Sequence, residues 1–405
     1  MRIVILTETF SENMGYLENS LSKYLAQLGA DVHVITADLH PNYLINGYAS
    51  TYKQFAGNVE ERTPGHVKRL NGFTLHTLGH ERVLGYVRMI GLRKKLTEIR
   101  PDVVQTTAAV GWLPLDGALF KLLVGYKLFT GNSTTASVFP LSTRQHRIWD
   151  RERIKVILQR TIPGYMISLL TTRCFPATVD CADVAARFLG VPRRLMDISP
   201  LGVDTDLFRP VSSDADRQAR FELRKNLGFK DTEIVCIYSG RFTNDKNPAV
   251  LASAIEKLRS AGEPYRGLFV GDGVQSEAIR RHNGCTIHPF VPVTELARYF
   301  RASDIGVWPT QESMSMLDAA ACGIPIVVNH TLRATERIDG NGLAYRREDS
   351  EDLARVLLSL RSEDRRGAMG RHGAEKMRTQ FSWRAIAEKR LGDYQSAFIK
   401  QGMSK

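Results

Sequence analysis

Residues Ile234–Arg259 read IVCIYSGRFTNDKNPAVLASAIEKLR. The opening IVCIYS is an unbroken, mostly apolar run rich in strand formers, as a strand buried on both faces requires. Gly240 then permits a sharp turn, a polar loop follows, and Pro248 opens a helical stretch, Ala249–Arg259. Arg241 and Lys246 stand five apart in that loop. Two cations at the carboxyl end of a buried strand can neutralise a diphosphate without a metal ion. Two solvated surface charges are the plain alternative, and the pair alone does not choose between them.

The same strand–loop–helix unit recurs on both sides of this stretch. Downstream, Gly267–Val270, Thr286–His288, Ile305–Trp308 and Ile326–Asn329 read as buried strands, with Val293–Arg301 helical between them. Upstream, Arg2–Leu6 precedes a helix with Leu17, Leu21, Leu25 and Leu28 on one face, stopped by Gly29. Val32–Thr36, Val103–Thr107, Lys127–Thr130 and Arg173–Pro176 complete the early strands. Strands alternating with helices imply parallel sheets covered on both faces. The turn-rich run PLGVDTDLFRP, Pro200–Pro210, separates two such series. The expectation is α/β: two doubly wound, Rossmann-like domains, 1–205 and 206–384, facing an interdomain cleft. Ligands of open parallel sheets bind beyond the carboxyl ends of the strands, so both loop sets should face that cleft. A last helix carries Trp383, Ala387, Leu391, Tyr394 and Phe398 on one face. It packs either on the preceding domain or, over 385–405, back on the first.

Composition fits this scheme. A chain of 405 residues exceeds one ordinary core. The opening MRIVIL turns polar at Thr7, too short for a signal-peptide core, and no apolar run reaches the length of a membrane span. Five cysteines form no CxxC pair, which points to the cytoplasm rather than to a disulfide framework or zinc site. The formal net charge of +12 favours anionic partners. No helix-turn-helix or aromatic–basic RNA motif accompanies that charge, which leaves phosphorylated substrates or an anionic membrane rather than nucleic acid.

Two further stretches bear on the cations. GDG, Gly271–Gly273, directly follows a strand, and glycines there let backbone N–H groups approach a ligand. PTQESMSMLDAAACGIP, Pro309–Pro325, runs from a strand into a helix that Ser313 or Ser315 could cap, leaving exposed N–H groups for an anion. Asp318 lies one turn in, placed to accept hydrogen bonds from a ribose diol or simply to complement the helix dipole.

The order GRFTNDKNP, GDG, ESMSMLDAAACGIP, DGNGL at Asp339–Leu343 and FSW at Phe381–Trp383 resembles glycosyltransferase family 4. The Pro200–Pro210 run and RPDVV at Arg100–Val104 are similar to that family too. The resemblance implies the GT-B fold and a retaining transfer of a sugar from a nucleotide-diphosphate donor to a glycan or lipid-linked acceptor. Carried over residue by residue, Arg241 and Lys246 would hold the diphosphate and stabilise the leaving group. Glu312 would contact the donor sugar and Asp318 the ribose. Gly240, Gly271, Gly273, Ser313, Met314 and Ser315 would line the donor site, and Gly15 would lie in the first-domain loop that closes over it. No cofactor or metal is implied. Three departures stand out. Glu312 and Asp318 are six apart, closer than is usual in the family, with aspartate as the second acid. Gly15 is followed by Tyr16, so the usual glycine pair is single. The family's first-domain histidine has no counterpart; Gly131, Asn132 and Ser133 stand there, and Asn132 offers a hydrogen bond to a sugar hydroxyl. Other readings of the same pocket are a nucleotide-sugar epimerase and a non-catalytic sugar-nucleotide binder.

Thr143–Arg173 interleaves Arg151, Arg153 and Lys155 with Ile154, Ile157 and Leu158. This suits a helix on an anionic membrane, on the cytoplasmic face of the inner membrane, or an ordinary amphipathic helix with a solvated basic face. GALFKLLVGYKLF, Gly117–Phe129, adds a second apolar–basic stretch.

Overall fold

A computed structural model of the chain describes residues 1–12, 15–39, 63–136, 139, 141, 151–310 and 313–402. The chain divides into two compact units, Met1–Leu201 with Trp383–Lys405, and Gly202–Ser382.

Among its described residues the first unit has nine strands: β1 Arg2–Thr7, β2 Asp31–Ala37, β3 Val67–Leu70, β4 Phe73–Leu78, β5 His80–Val83, β6 Tyr86–Met89, β7 Val103–Thr106, β8 Lys127–Asn132 and β9 Thr171–Pro176. Seven form one sheet in the order β3-β4-β2-β1-β7-β8-β9, with β5 and β6 a separate hairpin. All neighbours in the large sheet are parallel except β3 and β4. Alternation along β1 feeds two cores. Ile3 and Ile5 pack with Val32, Val34, Trp383 and Tyr394, whereas Val4 and Leu6 pack with Ile35, Leu92 and Leu96. The Trp383–Gly402 helix thus covers the face shared with the Leu17–Gln27 helix, and of the two placements open to it in the sequence it takes the one on the first unit.

The second unit holds β10 Ile234–Ser239, β11 Tyr265–Val270, β12 Cys285–His288, β13 Ile305–Trp308, β14 Ile326–Asn329 and β15 Gly342–Tyr345. They form an all-parallel sheet, β12-β11-β10-β13-β14-β15. Every residue of β10, β13 and β14 is buried, which is why their sequences lack alternation. Most of the Pro200–Pro210 run belongs to this unit: the Val203 N–H donates to the Phe381 carbonyl at 2.8 Å, beside the point where the chain leaves again. The five cysteines are free, and four of them are buried.

Strand order reverses between β1 and β7 in the first sheet and between β10 and β13 in the second. Loops diverge at such points and leave a crevice at the carboxyl ends of the strands.

Candidate functional site

In the second unit, the switch point is framed by the loop after β10, which carries Arg241 and Lys246, and the loop after β13. Three glycines fit the first loop against the β11 loop. The Gly240 N–H donates to Val270 at 3.0 Å, and the Phe242 N–H to Asp272 at 2.8 Å. A Cβ on Gly271 (φ +154°) would stand 1.9 Å from the Gly240 carbonyl oxygen, and one on Gly273 would stand 2.7 Å from that of Phe242. Backbone packs directly on backbone, so the glycines expected to admit a ligand also hold the two loops together.

Gln275, which sequence reasoning missed, fixes the far end of the cation loop. Its amide donates to Asn247 Oδ1 at 3.1 Å and Asn244 Oδ1 at 3.2 Å, while its oxygen accepts from the Ala249 N–H at 3.2 Å. Asn247 takes a positive φ of 44°, a conformation asparagine tolerates better than most residues. Lys246 is half-buried, and burial, followed by the nearby Arg241 charge, holds its ammonium pKa below the ordinary lysine range, against the pull of Asp245. Two cations kept close and short of water favour an anion between them.

The β13 loop meets this wall through Ser315. Its hydroxyl accepts from Trp308 Nε1 at 3.1 Å and donates to the Ser239 carbonyl at 3.5 Å. The expected serine cap is built differently. The helix is Ser315–Ala321 with Met314 at its N-cap and no side-chain cap; Ser313 Oγ accepts from the Ser315 N–H at 3.3 Å. Buried Asn329, another residue that no motif marks, steadies the loop from β14 by donating to the Thr310 carbonyl at 2.7 Å. The buried hydroxyls of Ser239, at the end of β10, and of Thr243 and Thr310, on the two loops, have no hydrogen-bond partner among the described residues. Asp318 is half-buried, and burial first, then the carboxylate of Asp204, push its pKa up to about 8. Near neutral pH its carboxyl is therefore largely protonated and can donate as well as accept. Glu312 lies outside the described residues. Among the described residues no group of three or more His, Cys, Asp or Glu is placed to hold a metal ion.

The first unit's switch point holds a cavity of about 160 Å³, lined among others by Glu18, Gln105, Asn132, Ser133, Phe175 and Arg390. Asn132 is buried, and its amide is engaged at both ends: Nδ2 donates to Cys181 at 2.9 Å and Oδ1 accepts from the Thr134 N–H at 3.3 Å. It shapes the wall rather than presenting an idle amide. Arg390, from the last helix, donates to Gln105 and Ser199 and stacks 3.5 Å over the Phe175 ring. Burial pushes the Glu18 carboxyl up to about 7, opposed by its own backbone N–H. Neither Glu18 nor Arg390 belongs to a local motif, so the sequence did not mark them. Gly15 is exposed, and a Cβ there would meet nothing within 4 Å. Internal packing does not demand glycine at that position. Arg151, Arg153 and Lys155 are exposed on the Arg151–Val156 helix, which buries no residue.

Residues 233–363, which carry both loops of the second switch point, match the family described as "Glycosyl transferases group 1". This region is similar to group 1 glycosyltransferase domains. The chain is 31% identical over 238 residues to the D-inositol 3-phosphate glycosyltransferase of Xylanimonas cellulosilytica, covering 55% of this chain and 56% of that protein. It is 28% identical over 225 residues to a GDP-mannose-dependent alpha-(1-6)-phosphatidylinositol monomannoside mannosyltransferase of Mycobacterium tuberculosis, covering 50% and 56%. The chain thus spans about half the length of the curated relatives it matches. Over 98% of its length it also superposes on 99% of sucrose-phosphate synthase from Thermosynechococcus elongatus, with a TM-score of 0.69 at 15% identity. The chain has the GT-B fold, two Rossmann-like domains.

Proposed function

We propose that this protein is a retaining glycosyltransferase that moves a sugar from a nucleotide-diphosphate donor to a glycan or lipid-linked acceptor in cell-surface glycolipid or polysaccharide synthesis. The observation that carries the reading is the second switch point. Arg241 and half-buried Lys246 share one loop, and Ser315 ties the facing loop to the strand end beneath them.

The chemical demand of the reaction is to stabilise the departing nucleotide diphosphate. Two fixed cations in a partly dehydrated crevice meet that demand without reorganising as charge develops. The unpartnered hydroxyls of Thr243 and Thr310 add donors on the same wall. Asp318 suits a ribose diol, because a carboxyl near its midpoint can both give and take a hydrogen bond. In this reading Glu312 contacts the donor sugar, Gly15 borders the donor, and no metal is required. The first unit's cavity is the acceptor's place, with Glu18 receiving a hydrogen bond from an acceptor hydroxyl. Lipid-linked acceptors are favoured because the mycobacterial relative is named for one. Work at the cytoplasmic face of the inner membrane follows from such an acceptor.

The direct test is a donor screen with UDP-, GDP- and ADP-sugars against lipid and glycan acceptors, with the product's anomeric configuration read by NMR. Transfer with retention is expected from one nucleotide series. A sugar altered without any acceptor, or no turnover despite tight nucleotide binding, would sink the proposal.

A further inference from the structure

Surface helices of soluble domains turn an apolar stripe inward and a polar one outward. Residues 162–170 instead turn an apolar stripe outward. The chain runs as a helix over Arg151–Val156, a π turn over Ile157–Thr161 and a helix over Ile162–Leu170. The π turn sits just before Pro163, whose missing N–H interrupts the helical ladder. The inward side is settled by close contacts. A Cβ on Gly164 would stand 1.9 Å from the Leu189 carbonyl oxygen, and Ile167 and Ser168 are buried. The outward side then carries Ile162, Tyr165, Met166 and Leu169, at i, i+3, i+4 and i+7, exposed by 48, 54, 56 and 65%.

A second helix repeats the pattern. Trp112–Val124 packs against Ile162–Leu170, and Lys121 Nζ donates to the Leu170 carbonyl at 2.5 Å. Its outward residues Leu119, Leu122 and Leu123 are 48, 67 and 63% exposed. Single exposed leucines need no explanation, but aligned stripes on two packed helices do. Cations on the neighbouring helices outnumber the exposed acids there, Glu152 and Glu98. Arg151, Arg153 and Lys155 are exposed at one end, and Arg93 and Lys94 are exposed on the Leu92–Ile99 helix, which packs against Trp112–Val124. The carboxylate of Asp116, on the apolar helix itself, is buried and paired with Arg88 at 3.1 Å.

We infer that the paired Trp112–Val124 and Ile162–Leu170 helices form a docking face for an anionic lipid bilayer, their leucines entering the headgroup boundary and the flanking arginines and lysines meeting lipid phosphates. Charge complementarity selects this occupant: an apolar face with a surplus of cations on the neighbouring helices matches an acyl boundary under anionic headgroups. The inference sharpens the membrane part of the proposed function, moving the main contact from the basic helix to the apolar pair. It requires no particular donor or acceptor.

The test is flotation of the full chain with phosphatidylcholine vesicles, with and without phosphatidylglycerol. Binding is expected only with the anionic lipid. Leu122→Glu/Leu169→Glu should reduce it more than tenfold, since each change removes an apolar side chain that would enter the bilayer and adds a repelled charge. Removing a cation, as in Arg153→Ala, should cost about fivefold, and salt should weaken binding. Both leucines are exposed, so melting curves should match wild type. As an independent readout, Tyr165→Trp should shift its emission to the blue on anionic vesicles. Wild type that floats with neither lipid, or a double variant that still floats fully, overturns the inference. So does a concentration-dependent dimer abolished by Leu122→Glu/Leu169→Glu without vesicle binding, which would assign the face to a second copy.

Discussion

The two switch points share a topology and differ in how they are made. In the second unit, the crevice wall is local: Arg241 and Lys246 share one loop, and Gly271 and Gly273 lie against its backbone. In the first unit, the cavity is assembled from Glu18, Gln105, Asn132 and Arg390, drawn from both ends of the chain. The first design fixes by backbone contact the loop that carries both cations, as the diphosphate proposed for it would need. The second leaves side chains to define the ligand, so its specificity can change without rebuilding the loops. Both keep one carboxyl short of water, Asp318 in one and Glu18 in the other.

Glycine substitution should separate the designs most strongly. Gly271→Ala drives a Cβ into the Gly240 carbonyl at 1.9 Å and should lower the second unit's stability by about 3 kcal/mol or more in urea unfolding. Gly15→Ala meets nothing within 4 Å and should shift stability by less than about 0.5 kcal/mol while lowering turnover. Equal tolerance at both positions would erase the distinction.

The carboxyls offer the next test. Folding raises the Asp318 pKa from 3.8 to about 8, so the native state binds the proton more tightly than the unfolded chain. Stability assigned to the neutral acid is present below pH 3.8 and is lost as pH rises to about 8. Asp318→Asn should therefore raise Tm increasingly across that window while weakening nucleotide affinity. Glu18→Gln should do the same between pH 4.5 and about 7, but raise the acceptor KM and leave nucleotide affinity unchanged. A Tm gain independent of pH, or a swap of the two binding phenotypes, would contradict the assignments.

Asn132→Ala should have a smaller effect. It removes the bonds to Cys181 and Thr134 and should cost about 1 kcal/mol in thermal or urea unfolding, with a modest rise in acceptor KM. Loss of turnover at wild-type stability would instead make the amide a direct ligand.

Legibility in the sequence followed the same division. The strands β10, β13 and β14 were plain because every residue in them is buried, giving runs that nothing else explains. The cation loop was legible because its parts are contiguous. Gln275 and Asn329 were not, since each acts through a hydrogen bond to a loop far from it in the sequence. Glu18 and Arg390 are separated by nearly the whole chain and meet only once the last helix returns to the first unit. The serine cap at Ser313 or Ser315 was expected from residue type alone. The structure uses the Ser315 hydroxyl instead to tie the β13 loop to the end of β10, while Ser313 Oγ, among the described residues, bonds only to Ser315. Outward stripes such as Tyr165, Met166 and Leu169 have the periodicity of a core helix, and sequence alone does not tell which way they face.

The central claim is that Arg241 and Lys246 hold the donor's diphosphate. Titration calorimetry of UDP, GDP and ADP against wild type, Arg241→Ala and Lys246→Ala tests it most directly. One nucleotide should bind wild type, and each substitution should weaken it about 10- to 100-fold, as loss of a charge-assisted bond implies. The matching nucleoside without phosphates should bind all three proteins alike. Wild-type affinity for the diphosphate in both variants would contradict the account.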